Sequence, residues 1–264
     1  MTSRREVLAV LAAGAVTLTA CSSPATTRAI WAEPSNRPSP PPAPSTSPSP
    51  SPPPSHALTG GDGPDGSVTM TGSSSVALTF DDGPDPVNTP VLLDLLGEHG
   101  IKASFSLVGF RARDNPELVH RLAAEGHTLV NHSWQHLMDL GQRPPSYVEG
   151  DLGHTLQVIQ TAAPDAPVRY FRAPGGNFTP SLVQVARDHG MNPLFWNVDP
   201  RDWDSANYGF GASMVNHIVS SVEQAVRPGM IVLSHDCKHP DTVTAYRTLL
   251  PWLAARYTLT ALPT

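Results

Sequence analysis

Cysteine is nearly absent from this chain: Cys21 and Cys237 are the two in 264 residues, so at most one disulfide can form. Charge is also sparse, at 15% of residues with a net of −6. No run of Lys or Arg stands ready to neutralise a phosphate backbone, which excludes a nucleic-acid partner and favours a neutral or weakly charged substrate. Long hydrophobic runs are missing too. The apolar stretch from Val7 to Ala20 is too short, at roughly 1.5 Å per residue, to cross a ~30 Å hydrocarbon core comfortably, which argues against a permanent transmembrane helix.

Proline, by contrast, is abundant and unevenly spread, with 13 of 29 between Pro24 and Pro64. Residues 22–67 are rich in Pro, Ser, Thr and Ala and repeat Ser-Pro steps such as Ser47-Pro48-Ser49-Pro50. Such a segment buries too little apolar surface to offset its ordering entropy, so it is expected to be a disordered, partly polyproline-like tether. At ~3.1 Å per residue it reaches on the order of 100 Å. Ahead of it, residues 1–21 read as an export signal: Arg4 and Arg5, an apolar run, then small residues. Ser3-Arg4-Arg5-Glu6-Val7-Leu8 is similar to a twin-arginine signal. Leu18-Thr19-Ala20-Cys21 resembles the lipobox of bacterial lipoproteins, which implies a lipid on Cys21 and a membrane-anchored, exported protein facing the cell wall or periplasm. Cys237 then has no partner and is expected to be a packed thiol.

From Val68 onward, short β-rich runs alternate with amphipathic stretches of helical length, the pattern of β/α units around a largely parallel sheet. The predicted strands are Val76–Phe80, Ala103–Val108, Thr128–Asn131, Val168–Phe171, Pro193–Val198, Ile231–Ser234 and Thr258–Leu262. The predicted helices are Pro90–His99, Asn115–Glu125, Ser146–Thr161, Pro180–His189, Ala212–Val226 and Val243–Tyr257. This alternation fits a barrel or an open doubly wound sheet, and periodicity alone does not choose.

Five polar clusters fall at the C-terminal ends of predicted strands, where β/α folds gather their reactive groups. Asp81 and Asp82 head the first, Asp81-Asp82-Gly83-Pro84; adjacent carboxylates there can point apart, one to a cation and one to a proton. The second, Asn131-His132-Ser133-Trp134-Gln135-His136, spaces two histidines four apart, which on one helical turn puts both imidazoles on one face to meet a divalent metal. The third is Arg172-Ala173-Pro174-Gly175-Gly176, the fourth Asp199-Pro200-Arg201-Asp202-Trp203, and the fifth Leu233-Ser234-His235-Asp236. Arg172 can fork a carboxylate, and Gly175 and Gly176 let a backbone N–H approach a ligand.

In this order the clusters resemble those of the polysaccharide deacetylases with a NodB-like homology domain, carbohydrate esterase family 4, over roughly residue 75 to the C-terminus. The resemblance implies a distorted (β/α) barrel of about seven parallel strands in a domain spanning 68–264, acting as a monomer on a polysaccharide. It implies Asp82, His132 and His136 as ligands of zinc, or of cobalt, manganese or nickel. Asp81 becomes the general base, oriented by Arg172, and His235 the general acid, supported by Asp202. The Gly175 N–H becomes an oxyanion donor, with Trp203 and Leu233 walling a pocket for the acetyl methyl. Two positions depart from the family pattern: Gly175 stands where Tyr is common, and Ser104 where Phe is common. The expected activity is removal of N-acetyl groups from peptidoglycan or a chitin-like glycan. The alternatives are hydrolysis of O-acetyl esters on xylan or another glycan, and an inactive wall-binding lipoprotein.

Overall fold

In the computed structural model the described residues are Leu58 and 61–264; the expected export signal, Cys21 and nearly all of the tether lie outside them. Seven strands form: β1 (Val76–Asp81), β2 (Ser104–Leu107), β3 (Thr128–Asn131), β4 (Val168–Phe171), β5 (Asn192–Pro193), β6 (Ile231–His235) and β7 (Leu259–Thr260). All pair in parallel, in the order β5-β4-β3-β2-β1-β6, with β7 against the start of β1. The helices are α1 (Asn88–Glu98), α2 (Gly109–Asp114), α3 (Pro116–Ala124), α4 (Pro145–Ala162), α5 (Pro180–Asp188), α6 (Ser205–Tyr208), α7 (Ala212–Ala225) and α8 (Pro240–Ala254). Six of these match the predicted helices. The short α2 and α6 were not foreseen, because four to six residues carry too little periodicity to register.

The sheet curls into a distorted barrel, as expected, and its outer strands meet without a regular ladder. Past β5 the Asn197 and Val198 N–H groups both donate to the Ile231 carbonyl, at 3.0 and 3.2 Å, and the Leu233 N–H donates to the Val198 carbonyl at 2.9 Å. The predicted strand Pro193–Val198 is therefore only partly laddered. Pro193 has no N–H to give; the Leu194 N–H still donates to the Phe171 carbonyl of β4 at 2.8 Å, while on the other edge Val68 donates to the Pro193 carbonyl at 2.8 Å and accepts the Phe195 N–H at 2.7 Å. The predicted strand Thr258–Leu262 is shortened in a similar way. The Leu262 N–H donates to the Ser104 hydroxyl at 3.0 Å and its carbonyl accepts the Thr128 hydroxyl at 2.6 Å. Ser104, one of the two departures from the family pattern, thus uses its hydroxyl to dock the C-terminal segment.

Successive side chains on a strand face opposite ways, and here both faces are buried. On β1, Val76, Leu78 and Phe80 point outward into the layer shared with Leu92, Leu96, Tyr246 and Leu250 of the surrounding helices. Ala77 points inward and packs with Val130, Tyr170, Leu194, Ile231 and Leu262 as an apolar floor. Counting by twos along that inward phase leads from Ala77 to Thr79 and Asp81, from Val130 to His132, from Tyr170 to Arg172, and from Ile231 to Leu233 and His235. An apolar base therefore gives way, toward the C-terminal end of each strand, to a ring of polar groups.

Leu58 packs into this floor, and Ser67 and Val68 are buried, so the folded region takes in residues ahead of the boundary expected at 68. The Tyr170 hydroxyl accepts the Leu58 N–H at 2.9 Å and donates to the Pro263 carbonyl at 2.7 Å, tying both ends of the fold to one atom. Tyr170→Phe leaves those two backbone groups unpaired. A typical hydrogen bond contributes about 1 kcal/mol net, so the variant is expected to lose roughly 1–2 kcal/mol and melt about 2–8 °C lower in a calorimetric scan. An unchanged melting temperature contradicts this role.

Candidate active site

The chain turns sharply at the end of β1, and two neighbouring residues account for it. Asp82 sits in the left-handed region at φ 73°, and Gly83 passes so close to a neighbour that a Cβ there would lie 2.7 Å from Asp236 Oδ1. The carboxylates of Asp81 and Asp82 consequently diverge. Asp81 keeps the inward phase and is buried, while Asp82 swings toward the mouth of the barrel.

His132 and His136 reach the same place by another route than the one expected. They do not share a helical turn, since the segment after β3 is irregular. Ser133 and His136 adopt left-handed φ values of 65° and 57°. Side chains then pin the loop: the Ser133 N–H donates to Asn131 Oδ1, the His136 N–H to Ser133 Oγ, and the Trp134 N–H to Asp151 Oδ1, at 3.0, 3.0 and 2.8 Å. The two rings end with centroids 4.9 Å apart.

His132 Nδ1 lies 2.8 Å from the Arg172 carbonyl, which can only accept, so Nδ1 carries the hydrogen and Nε2 its lone pair. The Nε2 atoms of His132 and His136 stand 3.3 and 3.2 Å from one oxygen, Asp82 Oδ1, which is buried and has no hydrogen-bond partner. Ligand atoms of all three residues lie within 4.8 Å of one another. Two imidazoles and a carboxylate aimed at a common point, with one carboxylate oxygen orphaned, fit a divalent transition ion that keeps further positions open. Burial opposes the charge on Asp82, but the histidines around it, His132 foremost, hold its carboxyl well below the usual carboxylate range. Burial, and then the neighbouring His132, lower the pKa of His136, favouring the neutral form a ligand requires.

Two ion pairs flank this set. Arg172, with no exposed surface, donates from Nη1 to Asp81 Oδ1 at 2.7 Å and to the Thr79 hydroxyl at 2.8 Å, and from Nη2 to the Phe195 carbonyl at 3.0 Å. Asp81 Oδ2 remains directed at the site, 3.7 Å from His132 Nε2. On the neighbouring strand β6, His235 is the register partner of Asp81. Its Nδ1 donates to Asp202 Oδ1 at 2.7 Å, while Asp202 Oδ2 accepts the His235 N–H and the Thr242 hydroxyl, both at 2.7 Å. Burial alone would discharge His235. The Asp202 carboxylate outweighs it and raises the imidazole to about 10.

Asp81, Asp82, His132, His136 and His235 line one cavity of about 360 Å³, together with Met138, Gly175, Gly176, Trp196, Asp199, Trp203 and Leu233. Gly175 is left-handed at φ 61°, and its N–H has no backbone acceptor among the described residues, whereas those of Gly176 and Asn177 donate to Ala173 and Pro174. Trp203 is 46% exposed, a lining residue rather than a core one, and Leu233 is buried. Cys237 is a packed free thiol that burial pushes up to about 12, and it stands outside the three-ligand set.

A family profile described as polysaccharide deacetylase matches residues 69–194. A chitooligosaccharide deacetylase from Sinorhizobium fredii is 38% identical over 200 residues, covering 70% of this chain and 88% of that protein. The chain belongs to the polysaccharide deacetylase family. Membership makes it a hydrolase that removes acetyl groups, the enzyme class to which the five clusters pointed. Among solved members, a peptidoglycan N-acetylglucosamine deacetylase in complex with 4-naphthalen-1-yl-N-oxidanyl-benzamide is 28% identical, with a TM-score of 0.66 over 74% of this chain and 88% of that one. A family pseudoenzyme from Bacillus anthracis is 25% identical, with a TM-score of 0.64 over 72% of this chain and 64% of that one.

All the described residues expected at the site line its cavity or bond directly to a residue that does. Sequence reasoning missed Thr242, Met138 and Trp196. Thr242 is an ordinary helix residue until its hydroxyl is seen on Asp202, so nothing in the sequence marks it. Trp196 left a signal in its position at the end of a predicted strand. Asp202→Asn removes the charge that keeps His235 protonated and leaves the burial that opposes it. By NMR titration of the metal-free protein, the wild-type ring is expected to hold its proton beyond pH 9 and to release it near 10, whereas the variant falls to or below the ordinary 6.5. The pair's contribution to stability is therefore present in full below pH 6.5 and is lost as pH rises toward 10.

Proposed function

We propose that this chain is a metal-dependent hydrolase that removes N-acetyl groups from a cell-wall or extracellular glycan, either peptidoglycan N-acetyl sugars or a chitin-like chain. One observation carries the reading: Asp82, His132 and His136 converge beside Asp81 on one side and His235 on the other, in one cavity. The deacetylases of chitooligosaccharide and of peptidoglycan N-acetylglucosamine among its relatives support that substrate class.

Asp82, His132 and His136 would hold zinc, or cobalt, manganese or nickel in its stead. When bound, such an ion supplies Lewis acidity, making water acidic near neutral pH and drawing charge from the acyl carbonyl. Asp81, held by Arg172, takes a proton from the attacking water. The Gly175 N–H faces the carbonyl oxygen as it gains charge. His235 enters the reaction as imidazolium and gives its proton to the departing sugar nitrogen, and Asp202 keeps the ring oriented and charged. Trp203 and Leu233 enclose the acetyl methyl. The pseudoenzyme relative demonstrates that the fold can exist without turnover, and the complete set of groups in this chain favours catalysis over binding alone.

The export-like start, the lipobox-like Leu18-Thr19-Ala20-Cys21 and the Pro-rich segment support an exported, Cys21-lipidated monomer whose substrate is the wall around it. Cys21→Ser is expected to move the protein from the membrane fraction to the soluble exported fraction; retention in the membrane contradicts lipidation.

Acetate release from N-acetylglucosamine oligomers and purified peptidoglycan tests the activity, with acetylated xylan as the ester control. Chelation is expected to abolish release and added zinc to restore it. Asp81→Asn should lower kcat by roughly 10²–10⁴ while zinc is still bound. Turnover confined to acetylated xylan overturns the amide assignment, and turnover unaffected by chelator overturns the metal.

A further inference from the structure

The space that a side chain on residue 175 would need is already taken. A Cβ on Gly175 would lie 2.3 Å from Met138 Cε and 3.1 Å from Met138 Sδ. Met138 lies on the irregular loop that also carries His136, and its carbonyl accepts the Asn177 side-chain N–H at 3.0 Å. The Thr179 hydroxyl donates to the Gly141 carbonyl at 3.1 Å, so two side chains from the segment after Gly175 hold this loop against the turn.

Met138 lines two cavities. On one side is the catalytic cavity of about 360 Å³. On the other is a cavity of about 330 Å³ bounded by Asp139, Gly141, Gln142, Asn177, Phe178 and Thr179. In that lining Asp139 is paired with Arg143 at 2.7 Å and Asn177 and Thr179 tie the loop, which leaves the Gln142 amide, without a hydrogen-bond partner among the described residues, to meet a sugar hydroxyl. Between the two, Met138 is 54% exposed. Its unbranched, polarizable chain can shape itself to an uneven surface.

Resting on the glycan deacetylase reading above, we propose that Met138 is a specificity-determining residue. It forms an apolar ridge between the catalytic cavity and a second subsite, so that two neighbouring sugar units of one glycan chain sit on either side of it. The N-acetyl sugar being hydrolysed occupies the catalytic cavity, and the adjoining unit takes the cavity lined by Gln142 and Asn177. The Gly175 backbone makes this possible by leaving room for the ridge.

The test is kcat/KM for acetate release from N-acetylglucosamine oligomers of two to five units, in wild type, Met138→Ala, Met138→Leu and Gln142→Ala. Wild type is expected to prefer the longer oligomers by about tenfold or more over the dimer. Met138→Ala and Gln142→Ala should each reduce that preference at least threefold through KM, while Met138→Leu, which keeps an apolar ridge, retains it. A chain-length preference that is the same in all four proteins overturns the proposal, as does loss of the preference in Met138→Leu but not in Met138→Ala. If wild type releases acetate from no oligomer and no peptidoglycan, the reading of function fails first and the subsite falls with it.

Discussion

A guanidinium sealed from solvent holds the working end of this barrel together. Arg172 bonds through its side chain to Asp81 and Thr79 of β1 and to the Phe195 carbonyl beyond β5, and its own carbonyl accepts from His132. One residue thus sets the direction of the proposed base, the tautomer of a metal-binding histidine and the joining of distant strands. A charge so placed is tolerable because Asp81 lies against it. Taking away one partner of such a buried pair typically costs about 3–5 kcal/mol, since the other charge is left without compensation. Geometry and stability are therefore bound to the same contact.

Around that contact, surroundings rather than residue type divide the labour. Asp82 stays charged because imidazoles crowd it, and partial burial and a neighbouring histidine favour the neutral form of His136. His235, also part-buried, is driven the opposite way by Asp202. Two histidines within one cavity thus settle into opposite protonation states, one suited to donate an electron pair and one to donate a proton.

Much of this was legible in the sequence, for a physical reason. On β1 the outward Val76, Leu78 and Phe80 alternate with an inward series, and over the strands that bring the site together the inward series ends in Asp81, His132, Arg172 and His235. Period-two alternation survives in any reading of the chain. The features that stayed hidden depend on contacts between remote residues. The histidine spacing suggested a helix, yet left-handed Ser133 and His136 and three side-chain bonds shape a loop instead. β7 ended early because the Ser104 and Thr128 hydroxyls captured backbone groups of Leu262, and the single residue Val68 bonds the outer edge of β5. Met138 could not be recognised before its carbon was found in the space above Gly175.

The Tyr170 hydroxyl has one more implication. Because it grips the chain near Leu58 and again at Pro263, entry and exit lie together at the closed base, on the side away from the catalytic opening. A fusion partner or a surface linkage joined directly at Leu58 or after Pro263 would therefore stand behind the enzyme, leaving the opening turned outward. The two ends are also near enough to be spliced by a short linker, so a circularly permuted version could be opened at an outer helix without disturbing the chemistry.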